Sequence, residues 1–309
     1  MVIHRGYENL KLLNPVVTMG IFDGVHRGHK SLLNILVRRA KELKGESVVI
    51  SFSPHPRLVL EQDHVNLSFL STMDEKISLL ERTGIDHLVI IEFDRDLSRK
   101  GACDFIRDIL VGRIGMKYLI LGYDHRFGQN GEGDYNTIKE CASTMDFAVE
   151  QVPELQTREG AISSSSIREE LLNGNIGKAN KWLGYSYRLE GLVVEGNRIG
   201  RSIGFPTANI QATDKYKLIP GNGVYAVEVE MYGVTYPGML SIGFNPTVRE
   251  KGSERSVEVH ILNFDRDIYG QKITIVFRKR LRSEKKFKSL RQLADQMEVD
   301  KENTLKLLS

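Results

Sequence analysis

The sequence predicts two domains in series: an α/β domain built on a parallel sheet, then a small antiparallel β-barrel that ends in a helix. Three observations carry this. A chain of 309 residues is about two domains long at roughly 150 residues each. Its first half alternates short β-rich runs with helix-length amphipathic stretches, a pattern that implies parallel pairing with helices on both faces of the sheet. Its second half sets strand-like runs close together, with turn signals and no helix between them, as in a small antiparallel barrel.

In the first half the expected strands are 16–19, 47–52, 87–91, 118–122 and 147–152. Helical periodicity falls between them, at 30–44, 73–82, 104–111 and 137–143. Thr72-Met-Asp-Glu75 has the spacing of a capping box, in which two side chains satisfy free amides at a helix start. Two short helices, 166–173 and 176–183, lead to a boundary near Gly184, dividing the chain into 1–183 and 184–309. Beyond it the expected strands are 187–194, 223–231, 234–242, 255–262 and 271–280, with a tight turn at Met231-Tyr-Gly-Val234. Only the tail, 289–308, reads as helix. The sequence has no internal repeat and no low-complexity tract.

Hydrophobic residues at 41% and charged residues at 27% suit ordinary packed cores and exclude a largely disordered chain. The balance of 43 Lys+Arg against 40 Asp+Glu, net +3, singles out no polyanionic partner. No aromatic-interleaved basic stripe accompanies it, so no nucleic-acid partner is expected. Two cysteines, Cys103 and Cys141, are too few for a disulfide scaffold or a Cys-rich zinc module, and reduced structural thiols are expected. The N-terminus has no apolar signal core. The longest apolar runs, such as Leu88-Val-Ile-Ile91, are strand-sized. A cytoplasmic protein without membrane contact, monomeric or weakly self-associating, is the expectation.

The sharpest local feature is Gly20-Ile-Phe-Asp-Gly-Val-His-Arg-Gly-His29, which follows the first expected strand and opens the first helix. A helix N-terminus presents unpaired N–H groups and the positive end of the dipole, which suits phosphate. Gly24 and Gly28 let backbone approach an anion, and imidazoles there can donate hydrogen bonds to charge developing on a phosphate. The segment is not a P-loop: three residues rather than four separate the glycines, and His29 intervenes before Lys30. Taken alone, it is equally compatible with two histidines in a surface turn; a zinc pair lacks a third ligand. Ile162-Ser-Ser-Ser-Ser-Ile-Arg168 adds to the phosphate reading. Ser166 and Glu169 have capping-box spacing, which explains one serine but not four followed by an arginine. Hydroxyls, amides and Arg168 at a helix start bind phosphates, and the two loops together are expected to clamp a triphosphate.

In the second half, Gly200-Arg-Ser-Ile-Gly-Phe-Pro-Thr-Ala-Asn-Ile210 combines a loop bent by Gly204 and Pro206 with oxygens from Thr207 and Asn209. Mg²⁺ takes such ligands together with phosphate and water. An ordinary barrel turn would be the reading if nothing else matched. In Arg255-Ser-Val-Glu-Val-His-Ile-Leu262 the alternation puts Glu258 and His260 on one face and Val257, Val259 and Ile261 on the other. A carboxylate there can take a proton from a substrate hydroxyl, as a kinase base does, although solvated polar residues are the commoner reason for such a face. The basic run Arg278, Lys279 and Arg280 could neutralise phosphate, although a solvated strand end is the commoner reason for such a run.

Together these motifs resemble a known family. His26-Arg-Gly-His29 and Ser163-Ser-Ser-Ser-Ile-Arg168 are similar to the HxGH and ISSTxxR signatures of the nucleotidylyltransferase superfamily. Ser51-Phe-Ser-Pro-His-Pro56 and Leu121-Gly-Tyr-Asp-His-Arg-Phe-Gly128 resemble the FAD-forming module of the prokaryotic bifunctional riboflavin kinase/FMN adenylyltransferases. The GFPTAN loop, Glu258 and Asn263-Phe-Asp-Arg-Asp-Ile-Tyr-Gly270 resemble the riboflavin kinase module of the same family, and the resemblance covers about residues 14–300.

The resemblance implies a Rossmann-like first domain in which His26, His29 and Arg168 act catalytically on phosphates. Gly20, Phe22, Asp23, Gly28, Ser164 and Ser165 would line the nucleotide there. Phe52, Pro54 and Pro56 would contact flavin, with Asp124 beside it. In the barrel it implies Mg-ATP held by Gly204, Pro206, Thr207 and Asn209, with Thr207 and Asn209 on the metal and Glu258 deprotonating riboflavin. The implied substrates are ATP, riboflavin and FMN, the products FMN and FAD, and the cofactor Mg²⁺. Departures from the family pattern fall at His125 (Phe expected), Ser165 (Thr), Asn263 (Asp) and Phe244-Asn245. A chain with one active module, or a flavin-binding regulator without turnover, are the rival readings. Intact Glu258, Thr207, Asn209, His26 and His29 weigh against the regulator, since binding alone needs no base.

Overall fold

The structure is a computed structural model that describes residues 1–61, 67–123, 125–157, 160–196, 200, 204–244 and 255–309. Packing divides the chain into two units, 1–67 with 71–163 and 68–70 with 164–309.

The first unit is a parallel six-stranded sheet. Its strands are β1 (Val2–Arg5), β2 (Val16–Met19), β3 (Ser47–Ser53), β4 (His87–Glu92), β5 (Tyr118–Gly122) and β6 (Ala148–Val152), in the order β1-β4-β3-β2-β5-β6. The helices are α1 (Arg27–Glu42), α2 (Pro56–Val59), α3 (Met73–Glu81), α4 (Arg95–Ser98), α5 (Ala102–Phe105), which continues as a π-turn over Ile106–Val111, and α6 (Tyr135–Thr144). A two-residue ribbon, β7 (Gln156–Thr157) with β8 (Gly160–Ala161), follows. Period-2 alternation splits the apolar strand residues between two cores. Val17, Met19, Val48, Ile50, Leu119 and Leu121 go to one cluster, and Val16, Val49 and Ile120 to the other. Both faces are therefore covered, as a parallel sheet requires. β1 was not expected; its four residues sit mostly exposed at the sheet edge and carry no alternating signal. The expected capping box forms, with Thr72 Oγ1 accepting from Glu75 N–H and the Glu75 carboxylate from Thr72 N–H.

The two cysteines do not stay apart as thiols. Cys103 on α5 and Cys141 on α6 are paired as a disulfide, with Cα atoms 5.8 Å apart. The two helices pack together beside one core, which brings together residues 38 positions apart in sequence.

The second unit opens with α7 (Ser164–Leu172) and α8 (Ile176–Leu183), which pack against each other, with α8 against the barrel. The barrel is closed and antiparallel, formed by β9 (Arg188–Val194), β10 (Ala208–Ala212), β11 (Gly223–Met231), β12 (Val234–Phe244), β13 (Arg255–Ile261) and β14 (Lys272–Arg282) in the order β10-β13-β12-β11-β14-β9. β9 pairs with β10 to close it. The sequence suggested five of these strands; β10, only five residues long and two residues past Pro206, begins within the GFPTAN motif. The tail helix, α9 (Leu290–Leu308), is capped by Ser289, whose hydroxyl accepts from Gln292 N–H.

Candidate active sites

In the first unit β2 lies at the centre of the sheet with β3 on one side and β5 on the other. The chain builds outward from β2 through β3 and β4, then returns to start β5 on the other flank. Ligands of open α/β sheets sit at the carboxyl ends of the strands at such a switch point, and the loop leaving β2 is the His26–His29 segment.

That loop is held by its own backbone turns and by Ser71, which precedes α3. Phe22 (φ 51°) and Val25 (φ 37°) lie in the left-handed region, uncommon for a bulky residue and still more so for a β-branched one. The Asp23 carboxylate accepts hydrogen bonds from the Ser71 N–H (3.0 Å) and hydroxyl (3.3 Å), and the Ser71 hydroxyl accepts from Gly24 N–H (2.9 Å). Asp23, Ser71 and Lys76 are all buried. Burial lowers the Lys76 pKa and the Asp23 charge opposes that shift. The Phe22 ring is packed in the core and presents an edge to His29 at 5.2 Å. Asp23 and Phe22, candidates for cofactor contact, thus anchor the loop with their side chains.

His26 is the N-cap of α1: its Nδ1 accepts from His29 N–H at 3.3 Å. A neutral ring accepting at Nδ1 carries its proton on Nε2. The two imidazoles stack with centroids 3.6 Å apart and planes 17° from parallel. Gly28 leaves room for this stack, since a Cβ there would press on the His26 ring at 3.1 Å and the Ile162 carbonyl at 3.3 Å. His29 Nδ1 is buried without a hydrogen-bond partner among the described residues. Burial first, then the nearby His26 and Lys76, hold the His29 pKa well below 6.5. The ring is therefore neutral at pH 7, a hydrogen-bond donor rather than a cation.

Beside this loop, the Pro-His-Pro segment follows β3. Phe52 is half-buried, Pro54 is exposed, and Pro56 is the first residue of α2, behind the N-cap His55. Phe52 starts a row of rings: Phe93 lies 5.8 Å on one side, Phe105 6.4 Å on the other, then Phe127 at 5.9 Å and His125 at 5.7 Å. The row joins the segments leaving β3 and β5, and the family departure at His125 stands at its end. Asp124 and Asn245 lie outside the described residues.

Ser164, Ser165 and Arg168 occupy the start of α7, and an Arg168 guanidinium N–H donates to Ser165 Oγ at 3.2 Å. By packing, this helix goes with the second unit.

In the barrel, the alternation of β13 buries Val257, Val259 and Ile261 and leaves Ser256, Glu258 and His260 on the outer face. Asn209 on β10 is the register partner of Glu258, so their side chains share one face at neighbouring positions. Thr207, just before β10, donates its hydroxyl hydrogen to Glu258 Oε2 at 3.1 Å. That leaves the oxygen lone pairs of Thr207 for a cation. The bend before it needs Gly204, whose φ is +83°. Across the strand pair, Gly196 accommodates the Asn209 amide, with which any Cβ at 196 would collide. Among the described residues no three His, Cys, Asp or Glu side chains are grouped to hold a metal. A cation at Thr207 and Asn209 would share its shell with phosphate and water, the arrangement Mg²⁺ favours; the donor set fits it. An open groove of about 570 Å³, lined by Lys285, Phe287, Gln292, Asp295, Gln296 and Val299, runs along α9; nothing in the sequence marked it.

Comparison with known proteins assigns each half. Residues 10–166 match the FAD synthetase family and residues 183–308 the riboflavin kinase family. The bifunctional riboflavin kinase/FMN adenylyltransferase of Bacillus subtilis is 35% identical over 95% of this chain and 92% of its own. That of Escherichia coli K12 is 36% identical over 97% and 96%. A crystal structure from Streptococcus pneumoniae, described as a macrolide-efflux protein, superposes with a TM-score of 0.87 at 32% identity over 98% of both chains. Among the described residues of this chain no helix is long and apolar enough to cross a membrane.

Proposed function

The chain belongs to the bifunctional riboflavin kinase/FMN adenylyltransferase family and is an enzyme of both activities, and from that premise we propose how its own residues divide the work. The catalytic modules meet near 183/184. In the barrel, Glu258 accepts the proton of the riboflavin 5′-hydroxyl as that oxygen attacks the γ-phosphorus of ATP, giving FMN and ADP. Thr207 and Asn209 would hold Mg²⁺ with the nucleotide, in a loop shaped by Gly204 and Pro206, and the ion would supply charge neutralisation at the phosphoryl oxygens. The observation that supports this most is the Thr207–Glu258 hydrogen bond, which joins the two motifs across 51 positions of sequence.

In the first module a phosphate oxygen of FMN attacks the α-phosphorus of a second ATP and pyrophosphate leaves. The nucleophile is already anionic, so no protein base or covalent intermediate is needed; positioning and charge stabilisation carry the step. Neutral His26 and His29 donate N–H groups to phosphate oxygens from the start of α1. Ser164, Ser165 and Arg168 supply further phosphate contacts, while Gly20, Phe22, Asp23 and Gly28 keep the loop in shape. Phe52, Pro54, Pro56 and Asp124 form the flavin side. The setting is cytoplasmic, with small molecules rather than nucleic acid or membrane as partners, and the protein works as a monomer or weak homo-oligomer.

The test is a time course with riboflavin, excess ATP and MgCl₂, with flavins separated by chromatography. FMN that rises first and then gives way to FAD is the expected result. FMN that accumulates without FAD would overturn the roles given to the first module.

A further inference from the structure

The ladder between β10 and β13 pairs only Ala208 with Val259 and Asn209 with Glu258. Thr207 precedes the first paired residue, so sheet hydrogen bonding does not fix its distance from Glu258. Something else must hold the chain there, because a displacement of about 1 Å between catalytic groups can cost on the order of 100-fold in rate.

The structure assigns that task to His260: we propose that its imidazole latches the GFPTAN loop onto β13 and so sets the spacing between the Mg-ATP residues and Glu258. His260 is two residues beyond Glu258 on the same outer face. Its Nδ1 lies 2.7 Å from the Pro206 carbonyl. A carbonyl oxygen can only accept, so Nδ1 carries the proton and donates. The same ring meets Phe205 edge-on, with centroids 5.2 Å apart. Phe205 is itself buried in a small cluster with Met239 and Leu262, against Met297 of α9. His260 thus grips both residues that precede Thr207, one by its backbone oxygen and one by its ring. Between the latch at Pro206 and the ladder at Ala208 only Thr207 remains, and its hydroxyl points to Glu258.

The latch touches neither reacting atom; it is a positioning residue, and the inference rests on the reading of Thr207, Asn209 and Glu258 given above. A role in kinase geometry makes a demand that a merely structural role does not. His260→Phe keeps a ring against Phe205 and removes the donor, whereas His260→Asn keeps an N–H donor near the position of Nδ1. The hydrogen bond is worth a modest net energy, but losing it frees the loop. His260→Phe should therefore raise the KM for Mg-ATP roughly tenfold and lower kcat, with the KM for riboflavin unchanged. His260→Asn should restore the Mg-ATP KM to within about threefold of the parent.

Adenylylation of supplied FMN by the same preparations reports that the first unit is folded, the barrel's own melting temperature reports the second, and Glu258→Gln is run beside them. Wild-type Mg-ATP parameters in His260→Phe would overturn the latch. So would a loss that Asn does not restore and that a lowered barrel melting temperature accompanies. Retained kinase activity in Glu258→Gln would instead overturn the base on which the inference rests, a result distinguishable from either.

Discussion

The two candidate sites are built by opposite means. In the first unit the His26–His29 loop is shaped mostly by short-range rules, a turn, an N-cap and a helix start within ten residues, with one long-range anchor from Asp23 to Ser71. In the barrel the site exists only through pairing, since Asn209 and Glu258 become neighbours by cross-strand register and Thr207 by a bond spanning 51 positions. A local site announces itself in sequence by spacing. A register-built site shows its parts but not their meeting.

Disturbing the register should hurt most, and on one side only. Gly196→Ala puts a Cβ where the Asn209 amide lies, displacing that side chain from its place beside Glu258. Kinase turnover should fall about 100-fold, as misplacement by roughly 1 Å can do, with FAD formation from supplied FMN unchanged in the same assay. The reciprocal disturbance is Ser71→Ala. It takes a hydroxyl donor from the buried Asp23 carboxylate and an acceptor from Gly24 N–H, a loss of about 1–3 kcal/mol. Denaturant unfolding should register it, and adenylylation should drop while the kinase keeps its rate.

A third comparison uses pH. The His29 pKa is held well below 6.5 in the folded chain, so between the folded and unfolded values the unfolded state binds more protons. Stability from this group is therefore intact above about pH 6.5 and is lost as pH falls toward the folded value. The ligand-free parent should lose melting temperature between pH 7 and pH 5 more steeply than His29→Gln does. The smallest effect is expected at Thr72→Ala, which removes half of the capping box of α3. It should cost about 1 kcal/mol and leave both activities within assay error, separating stability from site geometry.

Much of the fold was legible. Strands buried on both faces and helices with caps produce strong periodic signals, so every central strand of the sheet was expected, whereas the exposed edge strand β1 was not. β10 was hidden because its five residues follow Pro206 and alternate weakly. In the first site the histidines were legible from spacing, but the anchoring of Asp23 by Ser71, 48 positions away, was not. The need for a small residue at Gly28 was legible, but the packing of the His26 ring against it was not. His260 was seen to share a face with Glu258, but its tie to Pro206 depends on a loop that strand alternation says nothing about. The pairing of Cys103 with Cys141 depends on how α5 and α6 pack, which their 38-residue separation does not reveal.

The central claim is that two separable sites, one local and one register-built, divide the two steps between them. It is tested most directly by assaying Glu258→Gln and His29→Ala side by side, each with riboflavin and with FMN as substrate. Glu258→Gln should lose riboflavin phosphorylation by on the order of 100- to 10,000-fold, the usual worth of a general base, and still convert FMN to FAD. His29→Ala should phosphorylate riboflavin normally and accumulate FMN. If either folded variant loses both steps, or Glu258→Gln still phosphorylates riboflavin, the division is wrong.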